Sequence, residues 1–114
     1  MRSGRTHRLK RSDVALLKEV KQRILDHVPD AKVFLYGSVA RGEATPESDY
    51  DVLVITPRRL TRPEEDAIYD ATYEVDLARD ALTSVVFFSQ EDWDAPLTKA
   101  SPFYRNVVRE SVSL

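Results

Sequence analysis

Asp49 and Asp51 stand one residue apart where a polar stretch gives way to the apolar run Val52-Leu53-Val54-Ile55. Alternate residues of a strand share a face, so this spacing predicts both carboxylates on one side and Tyr50 on the other. With a rise of roughly 3.3 Å per residue their Cα atoms would lie about 6–7 Å apart, close enough for both to reach one cation. Oxygen donors of this kind suit a hard ion such as Mg²⁺, which binds through one or two carboxylates, several waters and substrate phosphates. The sequence has no cysteine, and its histidines are His7 and His27, so thiolate ligation is excluded and a carboxylate site is favoured over a zinc site.

Upstream, the apolar run Ala31-Lys32-Val33-Phe34-Leu35-Tyr36 leads into Gly37-Ser38-Val39-Ala40-Arg41-Gly42. Gly37 ends this run without a Cβ and lets a ligand approach the backbone. Ser38 is expected to cap a short helix begun by Val39-Ala40-Arg41, whose free amide groups attract anions. Arg41 adds a forked cationic donor matched to phosphate oxygens, and Gly42 permits a sharp exit. Between Gly42 and Ser48, Pro46 favours a turn and Glu43 and Glu47 are expected on the loop surface. Ser48 is expected to fix the backbone ahead of Asp49 through its hydroxyl. A polar loop slung between two buried strands is where chemistry is commonly placed.

Taken together, Gly37-Ser38-Val39-Ala40-Arg41-Gly42 and Ser48-Asp49-Tyr50-Asp51 resemble the signature of the DNA polymerase beta-like nucleotidyltransferase superfamily, in particular its minimal nucleotidyltransferase (MNT) branch. The resemblance is specific over residues 31–56. It implies a Mg²⁺-dependent enzyme that transfers AMP, or another NMP, from an NTP such as ATP to a hydroxyl. In that arrangement Asp49 and Asp51 are the catalytic metal ligands, and Gly37, Ser38, Arg41 and Ser48 bind the nucleotide. It also implies a helical partner protein of the HEPN type, as in MNT/HEPN toxin–antitoxin pairs. Catalytic members place a third carboxylate on the next strand, whereas this chain has Thr83 and Ser84 there. A hydroxyl can orient water but neither supplies negative charge nor accepts a proton near neutral pH. An alternative therefore stands beside the enzyme: a binding module of the same fold, catalytically weak or inactive, that acts as an antitoxin by occluding its partner.

The elements that must position these residues are legible as alternating patterns. Ser12-Asp13 opens a helical stripe of Leu16, Leu17, Val20, Ile24 and Val28 that Pro29 closes, with His27 at the surface. Val33-Phe34-Leu35 runs without alternation, as in a strand covered on both faces. After Thr56-Pro57, Thr61-Arg62-Pro63-Glu64 has the form of a capping box with an early proline. The helix it opens buries Ala67, Ile68, Ala71, Val75 and Ala78, and sets Tyr69 against Tyr73 as a surface pair. A third strand is expected over Leu82–Phe88, with Asp80 sharing the parity of Ser84 but roughly 13 Å away along it. Ser89-Gln90-Glu91-Asp92-Trp93 looks like a capped turn with Trp93 at the domain edge. Phe103, Tyr104, Val107 and Val108 then form an amphipathic turn or two docked on the core. The fold class is α/β (α+β): a small mixed sheet of three or more strands with flanking helices.

The 114 residues accommodate one domain, with residues 1–11 as a basic flexible arm and 12–114 as the domain proper. That arm carries five of the 17 basic residues and no acid, and the remaining 12 basic residues face all 19 acidic ones, leaving a net charge of −2. No aromatic residues are interleaved in the arm for base stacking, so it is read as a solvated terminus and not as a nucleic-acid contact. An apolar fraction of 42% and a charged fraction of 32% describe a globular chain. No apolar run approaches the roughly 18 residues needed to cross a bilayer, and a cytoplasmic address is expected by default. This length leaves no room for a separate acceptor-binding domain. The acceptor site is therefore expected from a second copy of the chain, as in a homodimer, or from another protein.

Overall fold

A computed structural model describes residues 9–114. The chain runs α1 (Arg11–His27), β1 (Lys32–Tyr36), α2 (Gly37–Arg41), β2 (Tyr50–Thr56), α3 (Arg62–Arg79), β3 (Thr83–Ser89), α4 (Gln90–Asp94), α5 (Pro96–Lys99), α6 (Pro102–Glu110) and β4 (Val112–Ser113). The four strands form one mixed sheet in the order β3-β2-β1-β4. β1 is antiparallel to β2 and β4, while α3 carries the chain across so that β3 lies parallel to β2. Most of residues 1–11, the basic arm, falls outside the described residues; Arg11 already belongs to α1.

Period-two alternation divides β2 between two apolar layers. Val52 and Val54 join Leu16, Leu17, Val20 and Ile24 of α1 and Ile68 and Val75 of α3 in the first core. Leu53 and Ile55 face the other way, with Phe34, Trp93 and Val107. Burial on both faces is why β1 and β2 read as continuous apolar runs. The second layer is largely aromatic. Trp93 meets Phe88 edge-on at 5.3 Å and Tyr104 at 4.7 Å between ring centroids, and Phe103 reaches Tyr36 at 5.4 Å.

The helix boundaries follow their caps. At α3 the expected box is present: Glu64 N–H donates to Thr61 Oγ1 at 3.3 Å, and Thr61 N–H donates to Glu64 Oε1 at 2.9 Å. Ser89 caps α4 by accepting from Asp92 N–H at 3.1 Å, and Ser101 caps α6 by accepting from Tyr104 N–H at 3.1 Å. Several expectations need correction. Trp93 lies inside the second core at 4% exposure, not at an edge. Tyr69 packs its ring against Phe87 and not Tyr73, because the side chain leans from α3 onto β3. Asp80 is not on β3 at all: it ends α3 in the left-handed conformation at φ 51°. β4, which pairs Leu35 with Val112, has no counterpart in the expected pattern.

Candidate active site

The site forms where β1 ends, and Gly37 is its pivot. Its φ of 80° lies in the left-handed region, where a Cβ is strained. A Cβ built there would also overlap Asp51 Oδ2. Two constraints thus require glycine, and the second reports a contact: the Asp51 carboxylate lies directly against the Gly37 backbone. Antiparallel pairing accounts for the approach, since Tyr36 and Asp51 are register partners at the ends of β1 and β2.

From Gly37 the chain enters α2 at once. Tyr36, extended, is the residue before the helix, so Ser38 is not the cap expected of it. Val39 and Ala40 anchor α2 in the first core. The Ser38 hydroxyl instead donates to Ser48 Oγ at 3.3 Å, and Ser48 Oγ accepts from Thr45 N–H at 2.9 Å. Ser48 therefore fixes the turn before it and ties the end of the loop to its beginning. Gly42, at φ 75°, closes α2 and turns the chain into that loop.

Asp49 is exposed just ahead of β2, while Asp51 is partly buried on it. The Asp51 carboxyl is held above its usual pKa, chiefly by burial, then by the charge of Asp49; Arg41 lowers it and Glu110 adds to the rise. The charge of Asp49 thus acts against ionisation of Asp51, a repulsion that a bound cation would relieve. Tyr50 turns the other way. Its hydroxyl donates to Asp13 Oδ1 at 2.5 Å in the first turn of α1, and burial followed by this bond pushes its pKa up to about 12. Anchoring Tyr50 in the first core holds β2 in the parity that turns Asp51 to the opposite face.

Ser84 is the register partner of Asp51 on β3, so the neighbouring strand faces the aspartate with a hydroxyl. Among the described residues, no three or more His, Cys, Asp or Glu side chains gather closely enough to hold an ion. The oxygen donors of Asp49 and Asp51 nonetheless fit a hard cation that takes one or two protein carboxylates and completes its shell with water and phosphate. A cavity of about 790 Å³ is lined by Asp13, Ser48, Asp49, Tyr50 and Asp80. Gly37, Arg41 and Asp51 are not among the residues that line it.

One residue of the site has no local signal in the sequence. Glu110, the last residue of α6, accepts from Gly37 N–H at 3.2 Å and from Arg41 Nη1 at 2.9 Å. Arg41 also donates through Nε to Glu43 at 2.9 Å. The Glu110 side chain is 10% exposed, against 44% for Arg41, so its carboxylate lies inside the site and not on its rim.

Residues 16–108 match the nucleotidyltransferase domain family. The chain belongs to that family. It is 32% identical over 79 residues, 68% of its own length and 80% of the relative's, to a Methanocaldococcus jannaschii protein described as a candidate protein adenylyltransferase. Its fold resembles that of a solved Shewanella oneidensis complex, a tri-AMPylated HEPN toxin with its MNT antitoxin. That match has a TM-score of 0.52 at 16% identity and covers 90% of this chain and 70% of the other. The nucleotidyltransferase domain thus spans α1 through most of α6, with the Gly37–Asp51 loop near its centre.

Proposed function

We propose that this nucleotidyltransferase transfers AMP from ATP to a hydroxyl group on a helical partner protein of the HEPN type. The observation that carries the reading is the Asp51 carboxylate held against the Gly37 backbone, with Asp49 coupled to it by charge and Arg41 nearby. Asp49 and Asp51 would hold Mg²⁺, which when bound neutralises the triphosphate and polarises the phosphoryl oxygens. Gly37, Ser38 and Arg41 orient the phosphates, and Ser48 keeps Ser38 in place. The acceptor oxygen attacks the α-phosphorus in line; the bond to the β-phosphate oxygen breaks, pyrophosphate leaves, and the hydroxyl proton passes to a carboxylate or to solvent. Such transfer is mainly positioning and charge neutralisation, which a small domain can provide. The relative described as an adenylyltransferase supports AMP as the group moved, and the solved toxin–antitoxin complex supports the class of partner.

One observation favours a second reading, a module that binds nucleotide and occludes its partner without modifying it. Ser84 faces Asp51 from β3 where an acid would be needed to draw the proton from the acceptor. Calorimetry with Mg²⁺-ATP, and intact-mass measurement of the partner after incubation with ATP, separate the two. AMP addition by wild type, reduced on the order of 100-fold or more in Asp49→Asn/Asp51→Asn, is expected. Binding without any mass increase would leave the occluding module, and absence of binding would sink both readings.

A further inference from the structure

We infer that Glu110 is a built-in competitor for the phosphate site: its carboxylate occupies the donors that an incoming polyphosphate needs and must be displaced for nucleotide to bind. The inference rests on the nucleotidyltransferase reading of this site and adds to it a residue that sets its affinity. Its two oxygens are divided between the Gly37 N–H at 3.2 Å and the Arg41 guanidinium at 2.9 Å. Carboxylate and phosphate oxygens use the same kinds of donor: the one Gly37 N–H cannot serve both anions, and the Nη1 edge of Arg41 that faces Glu110 is taken.

The placement is unusual for a plain ion pair. Glu110 is brought next to Asp51 and helps raise the pKa of that aspartate, so it sits with an acid of its own sign. Arg41 and the Gly37 amide offset that repulsion, and the side chain is nine-tenths shielded from water. A clamp needed only to hold α6 to α2 would gain as much on the solvent side of Arg41, where Glu43 already pairs with it. Glu110 also ends α6 and immediately precedes the residue leading into β4. Swinging its side chain out therefore leaves the aromatic packing of Trp93 and Phe103 in place.

The test titrates inorganic tripolyphosphate and ATP, each with and without Mg²⁺, into the full chain by calorimetry, for wild type, Glu110→Ala, Glu110→Gln and Arg41→Ala/Glu110→Ala. Removing the competing carboxylate should tighten tripolyphosphate binding about ten-fold, equivalent to roughly 1.4 kcal/mol. The double variant should lose that gain. Glu110→Gln preserves the side chain's shape, so it reads the effect of charge should the alanine variant fail to fold by circular dichroism. Unchanged or weaker tripolyphosphate binding in both single variants, or none by any protein, overturns the inference. Tighter binding with no AMP transfer to a partner would uphold it while the enzymatic reading fails; transfer by wild type with no tightening would do the reverse.

Discussion

At Gly37 backbone conformation and site chemistry impose the same choice of residue. A methyl group there would have to adopt φ near 80° and share space with Asp51 Oδ2. Gly37→Ala should therefore cost about 1–3 kcal/mol of stability, the usual range for a strained backbone position. It should also weaken Mg²⁺-ATP binding, because Asp51 must retreat from the cradle. Thermal melting and calorimetry on the same protein check both, and a variant that melts lower yet binds ATP normally would show that the Gly37–Asp51 approach is architectural only. The sequence makes Gly37, Arg41, Asp49 and Asp51 conspicuous because they lie within one loop, where spacing carries information. Glu110 was not legible. It stands 69 residues from Arg41 and 73 from Gly37, in a segment whose pattern reports only an amphipathic helix. Only the packing of α6 on the sheet delivers it.

At the scale of elements, α3 shows how local chemistry fixes a boundary and makes it sensitive to pH. Glu64 completes the capping box with Thr61 and takes both arms of the Arg58 guanidinium, one at 2.9 Å. The Arg58 bond first, then the Thr61 N–H, hold its carboxyl down to about 2, against an ordinary value of 4.5. An acid with a depressed folded pKa stabilises the fold above its unfolded pKa and loses that contribution as pH falls toward the folded one. Urea unfolding between pH 4.5 and 2 should accordingly show stability dropping with pH, and Glu64→Gln should flatten part of that slope. The effect should shrink in high salt because Arg58 is exposed. An unchanged slope in the variant would place the acid sensitivity elsewhere. The capping box was legible because every member lies within four residues. β4 was not, since its two residues gain strand character only by pairing with Phe34 and Leu35. The start of α2 departs from its sequence pattern for a related reason: Ser38 has the chemistry of a cap, but Ser48, ten residues later, claims its hydroxyl.

For the whole molecule, the sheet is a shared wall between two apolar layers, and the site lies at the end of that wall where β1 hands over to α2. α1 and α3 cover one face; α4 and α6 cover the other, with Trp93, Phe103 and Tyr104 in the same layer as Phe88 of β3. The aromatic chain runs from Trp93 through Phe103 to Tyr36, the residue before Gly37, so the second layer braces the loop as well as closing the core. Because Leu53 and Ile55 are buried in one layer while Val52 and Val54 are buried in the other, neither layer can melt without exposing β2. Trp93→Ala should therefore destabilise the whole domain by about 3–5 kcal/mol, the usual cost of truncating a buried aromatic. That is a large share of the about 5–15 kcal/mol available to a domain of this kind. Trp93→Phe should cost distinctly less, since it keeps a ring against Tyr104. Far-ultraviolet circular dichroism in urea should show a single transition for all three proteins, moved to lower denaturant in step with these losses. A second transition in Trp93→Ala would mean that the α1–α3 layer holds the sheet without help, and that α6, with Glu110 at its end, is an independently mobile cover over the site.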